Sequence, residues 1–237
     1  MAYALGMHAW RILLLALVLL LSACGGDDGD SESAPDTTAS ATTGEPSGTT
    51  AASGKGGCEA VEAPEPKPDG GQKAPTESLD EDKTYRLVVS TNCGEFTIAL
   101  DPKLAPKTTA SLVSLAEKGF YDGTTFHRVV PGFVIQGGDP TGTGTGGPGY
   151  QTTDVPPSDA GYTTGVVAMA KGGSEPPGTS GSQFFVVTAP DAGLPPEYAV
   201  VGRVVEGMEA VSAIEALGTG DGPPSEPVVI EKVTVES

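Results

Sequence analysis

Histidine is nearly missing from this chain: of 237 residues only His8 and His127 carry an imidazole. Cysteine occurs three times and tryptophan once. These shortages exclude chemistry. A metal site needs several Cys, His or carboxylate ligands in one cluster, and His127 with the two cysteines Cys58 and Cys93 does not supply it. A serine hydrolase built on Ser180 or Ser182 would need an imidazole base and an orienting acid. His127 is the one histidine in range, Arg128 beside it opposes an imidazolium, and no G-x-S-x-G is present. Positive charge is also scarce, with 13 Lys and Arg against 31 Asp and Glu and a net charge of −18. That balance argues against nucleic acid as a partner and against an electrostatic grip on anionic lipid. Long apolar runs are missing too. The longest, Ile12–Leu21, has ten residues, and at ~1.5 Å per residue it would cross about half of a bilayer core.

That run has another use. Arg11 flanks it on one side, and Leu21-Ser22-Ala23-Cys24 follows on the other. The pattern is that of an export signal over residues 1–23, and its end resembles the bacterial lipobox. The resemblance implies cleavage before Cys24 and a diacylglycerol on its sulfur. An ordinary secretory signal with an incidental cysteine is the alternative. Lipidation at Cys24 would place the protein outside the cytoplasm, anchored to the bacterial cell membrane. Residues 24–83 are rich in Gly, Ser, Thr, Pro and acid, with few large apolar side chains. Such a segment buries too little surface to offset ordering its backbone, so it is expected to be a disordered tether. Cys58 and Cys93 remain, and both would lie outside the cytoplasm, where a disulfide persists. A Cys58–Cys93 bridge, with two free thiols as the alternative, would staple the end of the tether to the first hairpin.

Residues 84–237 carry the periodicity of a folded domain. Tyr85–Ser90 and Glu95–Leu100 flank the turn Asn92-Cys93-Gly94 and predict a hairpin. Pro106–Lys118 predicts a helix with Leu112, Leu115 and Ala116 on its apolar stripe. Phe126–Gln136 predicts strand, turn and strand. Gly165–Ala170, Gln183–Thr188, Val200–Val205 and Val228–Val235 predict further strands, and Met208–Leu217 a second helix. Gly142, Gly144 and Gly147 match G-x-G-x-x-G, but Pro148-Gly149 follows where a phosphate-binding helix would have to start. A closed antiparallel barrel capped by two helices suits this pattern and hides the sheet edges.

Arg128 is the residue that asks for a function. It lies in the apolar stretch FHRVV, and strand alternation would put Phe126, Arg128 and Val130 on one face. Gln136 ends the next apolar run and Gln183 precedes Phe184-Phe185. An apolar surface bearing one guanidinium and two amides suits a mostly apolar ligand with carbonyls, such as a proline-containing peptide.

The motifs FHRVVPGFVIQGGD, GTGTGGPGY, Met169-Ala170 and GSQFFV, in this order, resemble the cyclophilin family of peptidyl-prolyl isomerases over about Tyr85 to Val235. The resemblance implies eight strands and two helices, isomerisation of X–Pro bonds, and no cofactor or metal. It implies that Arg128 is catalytic and that Gln136 positions it. Phe133, Val134, Phe185 and Leu194 would wall the proline pocket; Ala170, Lys171, Gln183 and Tyr198 would border the groove. His127 is expected to be structural. Three positions depart from the family's common pattern: Val134 stands for Met, which makes a shallower pocket wall; Gly193 stands for Trp or His, which puts drug binding of the cyclosporin type in doubt; and Tyr198 stands for His, where a phenol can still donate. The expected function is an isomerase assisting the folding of exported proteins, as a monomer. A non-catalytic module that holds proline-rich segments is the alternative.

Overall fold

The structure is a computed structural model and describes residues 57–237. The export signal over residues 1–23, Cys24 with its lipid, and the tether up to residue 56 lie outside the described residues. From Arg86 onward the chain follows its alternation. β1 (Arg86–Thr91) buries Leu87 and Val89 and pairs with β2 (Gly94–Leu100) across the expected turn. α1 (Pro106–Glu117) opens on its proline, whose absent N–H costs nothing in a first turn, and buries Leu112, Leu115 and Ala116. Next come β3 (Thr124–Thr125), β4 (Arg128–Val130) and β5 (Val134–Gly137). β6 (Thr152–Thr153) follows the Gly-rich loop, then β7 (Val166–Met169), β8 (Thr179–Ser180), β9 (Phe184–Val187) and β10 (Val200–Glu206). α2 (Met208–Glu215) and β11 (Val229–Glu236) end the fold.

The fold is mainly antiparallel β with two helices, but the expected closed eight-stranded barrel is corrected. Nine strands form one curled sheet in the order β3-β11-β1-β2-β10-β7-β9-β5-β4, and β6 pairs with β8 apart from it. The ends of the sheet, β3 and β4, are separated by Phe126-His127, and among the described residues only the bridge Thr125–Asp139 spans the seam. The seam stays open because Phe126 leaves the strand path. Its ring is 1% exposed and packs 6.3 Å from Phe96 and 5.9 Å from Phe184, centroid to centroid. It therefore does not share a face with Arg128. The N–H groups of Phe126 and Val129 donate instead to the carbonyls of Val228 and Gly222.

Strands β5, β7 and β9 are apolar without alternation because both of their faces are covered. Ile135, Val167, Met169, Phe184 and Val186 point into the main core with Phe96, Leu115 and Ile230. Val134, Val166, Ala168, Phe185 and Val187 point the other way and form a second cluster with Tyr162 and Ala189. That second cluster is the floor of the candidate site.

Residues 57–83 differ from the expected free tether. They form no helix or long strand, yet they lie along the domain. Cys58 and Cys93 are bridged, with Sγ atoms 2.03 Å apart, and Glu59 N–H donates to Asn92 O at 2.7 Å. Lys67 Nζ donates to the carbonyls of Gly119, Phe120 and Asp122, which follow the end of α1. An ammonium there satisfies orphan carbonyls and complements the helix dipole. Burial pulls the Lys67 pKa down, against the Asp122 charge, which raises it. Composition alone missed this attachment because it is made by backbone bonds and one lysine, not by a hydrophobic core.

Candidate active site

Register builds the site. Arg128 on β4 faces Gln136 on β5, and Gln136 faces Phe185 on β9. Phe185 faces Ala168 on β7. The turn between β4 and β5 places Phe133 beside the arginine: Gly132 adopts φ +71°, a conformation that a side chain resists, and Phe133 N–H closes back onto Val130 O at 3.0 Å.

The Arg128 side chain is 30% exposed. Its Nε donates to Asp221 Oδ1 at 2.6 Å and its Nη1 to Gln136 Oε1 at 3.3 Å. The guanidinium carbon sits 5.8 Å from the centre of the Phe133 ring. Gln136 Nε2 then donates to Gln183 Oε1 at 3.1 Å, and Gln183 Nε2 to Gly146 O at 2.9 Å. A chain of hydrogen bonds thus runs from Asp221 through Arg128, Gln136 and Gln183 into the Gly-rich loop. It holds the guanidinium by two of its edges and leaves the Nη2 group without a partner among the described residues. Asp221 is held below the usual carboxylate range by its hydrogen bond to Arg128 and by that charge.

The apolar side is made by Phe133, Leu194 and Tyr198, partly exposed, over Val134 and Phe185, which are buried. Tyr198 meets Phe185 edge-on at 5.6 Å. Its N–H donates to the Tyr162 hydroxyl oxygen, and that hydroxyl donates to Tyr198 O. Ala170 is half-buried, and its N–H is taken by Gln183 O at 2.9 Å. Lys171 is brought to the groove, where its side chain is 2% exposed and its Nζ donates to Glu175 O at 3.1 Å. Its Nζ lies 3.0 Å from Glu197 Oε2 and 5.5 Å from the centre of the Tyr198 ring.

The Gly-rich loop is organised by Asp139, which is fully buried. Its carboxylate accepts from the N–H groups of Thr141, Gly144 and Gly146 and from the Thr141 hydroxyl. Burial raises the Asp139 pKa, and these hydrogen bonds more than reverse that, leaving it below the ordinary value. The loop's amides are therefore spent on a carboxylate of this chain, so G-x-G-x-x-G has no cradle left for a phosphate. His127 lies beside this loop, near Gly144. Burial lowers its pKa despite the nearby Asp139 carboxylate. Thr125 and Gln183 also favour the charged ring, but neither ring nitrogen reaches hydrogen-bond geometry with a partner. It does not join the Arg128 chain of contacts.

The structure brings together Arg128, Gln136, Gln183, Phe133, Val134, Phe185, Leu194, Tyr198 and Ala170. It adds Asp221, 93 residues downstream of Arg128. The only local signal for Asp221 was its setting in Gly220-Asp221-Gly222, which marks a tight loop and not a partner.

Residues 86–235 match the family described as cyclophilin type peptidyl-prolyl cis-trans isomerase/CLD. Among curated proteins, the chain is 44% identical over 169 residues to peptidyl-prolyl cis-trans isomerase B of Streptomyces anulatus, covering 63% of this chain and 95% of that one. It is 40% identical over 171 residues to peptidyl-prolyl cis-trans isomerase A of Mycobacterium tuberculosis, covering 64% and 92%. Among solved structures, a cyclophilin-type isomerase of Cryptosporidium parvum superposes with a TM-score of 0.60 at 31% identity, covering 65% of this chain and 99% of that one. A second structure of that protein was obtained in the presence of the dipeptide Ala-Pro, with a TM-score of 0.59 at 31% identity and coverage of 64% and 99%.

Proposed function

The chain belongs to the cyclophilin-type peptidyl-prolyl cis-trans isomerases, and on that premise we propose that Arg128 is its catalytic residue and Gln136 the residue that positions it, acting on proteins outside the cytoplasm. The single observation that carries the site assignment is the guanidinium held between Asp221 and Gln136 over an apolar floor.

An X–Pro bond rotates slowly because resonance gives the C–N bond a barrier of ~18–20 kcal/mol. No nucleophile is needed to lower it. Phe133, Leu194 and Tyr198 grip the proline ring above Val134 and Phe185, and a free guanidinium N–H meets the prolyl nitrogen as the amide twists. In the planar amide that nitrogen's lone pair is delocalised and accepts poorly; in the twisted state it accepts well. The hydrogen bond is therefore stronger in the transition state than in either isomer, which is the condition for acceleration. Gln136 and Asp221 fix the fork beforehand, so little reorganisation remains. Gln183 holds Gln136 in turn, and Ala170 borders the path of the peptide backbone. Lys171 contributes its backbone only, since its ammonium is tied to Glu197.

Asp221 is exposed, so its influence is small. Asp221→Ala is expected to lower kcat/KM by about threefold. Because pairing depresses the Asp221 pKa, the ion pair is complete above the ordinary carboxylate range and is lost only as pH falls through the depressed value. The rate profile of the wild type should therefore show no Asp221 inflection between about pH 5 and 8. A clear acidic limb in that window that disappears in Asp221→Ala would contradict the assignment.

The extracytoplasmic part of the proposal rests on Leu21-Ser22-Ala23-Cys24 and on the Cys58–Cys93 bridge, which suits an oxidising compartment. The natural clients are then exported proteins whose folding waits on a proline. Expression of the full chain in a bacterium fed a tagged fatty acid tests it. The membrane fraction should contain labelled protein, and Cys24→Ala should be unlabelled. Unlabelled wild type in the cytosolic fraction would rule out the anchor.

A further inference from the structure

Resting on the isomerase reading, we propose that residues 64–72 form an outer wall of the substrate groove and that Asp69 on this wall selects peptides bearing a lysine or arginine near the X–Pro bond. The family match begins at residue 86, so this wall lies outside the shared domain. It is nevertheless built onto the site. A groove of about 760 Å³ is lined by Gln136, Ala170 and Gln183 and also by Gly147, Glu175 and Asp69.

The attachment is specific. Gly70 N–H donates to Gly147 O at 2.9 Å, and Gln72 N–H to Pro148 O at 2.9 Å, so the segment pairs with the Gly-rich loop. Lys67 N–H donates to Pro140 O at 2.8 Å, upstream in the same loop. The two backbones meet at glycines: Gly149 has φ +90°, and a Cβ there would lie 3.0 Å from Gly70 Cα. Lys67 Nζ, on its three carbonyls, and the Cys58–Cys93 bridge hold the segment upstream of the contact.

The charge of the groove gives the specificity. Asp69 Oδ1 accepts from Gly147 N–H at 2.8 Å, while Oδ2 accepts no hydrogen bond among the described residues. Glu175 brings a second carboxylate to the lining. The lining ammonium, Lys171, is paired with Glu197 at 3.0 Å and donates to Glu175 O at 3.1 Å, while the Glu175 carboxylate accepts from Gln151 Nε2 and Gly172 N–H. A cationic side chain entering this groove finds the open Asp69 oxygen, with the lining ammonium already engaged by Glu197; an anionic one finds repulsion. Because the site is open to solvent, the preference should be modest and salt-sensitive.

The test uses the full chain and a series of fluorescent peptides around one Ala-Pro bond. Lysine or glutamate is walked through three positions on each side of that bond. Isomerisation rate and binding by anisotropy are both measured. At one or more positions the lysine peptide should bind about threefold to tenfold more tightly than its glutamate twin at low salt, and the gap should close in about 1 M salt. Asp69→Asn, which retains an acceptor for Gly147 N–H, should shrink the ratio, and Asp69→Lys should invert it. Equal binding of all lysine and glutamate twins by the wild type would overturn the proposal. So would a ratio unchanged in both variants. The binding ratio is read independently of turnover, so a wild type that shows the ratio but does not accelerate isomerisation would count against the isomerase reading alone.

Discussion

Arg128→Ala should leave a folded protein whose acceleration of X–Pro isomerisation falls by about two to three orders of magnitude, the usual cost of removing one preorganised donor from a transition state. The loss should appear in kcat, with peptide binding changed far less, because the planar amide makes poor use of this donor and the apolar floor remains. The fold should tolerate the change. The side chain is 30% exposed, and its ionic partner Asp221 is 70% exposed, so truncation strands no buried charge. Arg128→Lys should recover little. An ammonium is a point charge, and it cannot reach Asp221, Gln136 and the prolyl nitrogen from one rigid plane. Isomerisation of a proline peptide, with binding of the same peptide measured separately, decides the matter. A rate within about threefold of wild type for Arg128→Ala would remove Arg128 from the mechanism and favour a groove that only holds proline segments.

Removing the Cys58–Cys93 bridge should destabilise the domain by about 3–4 kcal/mol in the chain-entropy account, since it closes a loop between residues 35 apart. The cysteines are 2% and 7% exposed, so the double variant Cys58→Ala/Cys93→Ala is preferable to serine, which would bury hydroxyls without partners. Urea unfolding should show the midpoint fall and the slope rise, because the unfolded chain without the cross-link is more expanded. Wild type treated with reductant should move to the same midpoint. Coincident curves with and without reductant would mean that the bridge contributes nothing. Part of the loss should be local: Glu59 and Asn92 exchange two hydrogen bonds next to the bridge, and these depend on the segment staying in place.

Much of the architecture was legible residue by residue. β1, β2, α1, α2 and β11 appear where alternation or helical spacing marks them. β3, β6 and β8 did not announce themselves, because a two-residue strand carries no alternation and exists only through its distant partner. The pattern around Arg128 also misled at Phe126, where the main core claimed the ring and broke the strand.

The sequence by itself determined the mainly-β fold with two helices, the family, and the cluster of one guanidinium and two amides, because each rests on order along a short piece of chain. Tertiary structure alone decided that the sheet has nine strands with an open seam, that Asp221 closes on Arg128, and that residues 59–72 lie along the domain with Asp69 in the groove lining. The physical reason is range. Periodicity records which way a side chain points relative to its neighbours, whereas an ion pair across 93 residues, or a lysine satisfied by three carbonyls past the end of a helix, depends on where the curled sheet returns the backbone.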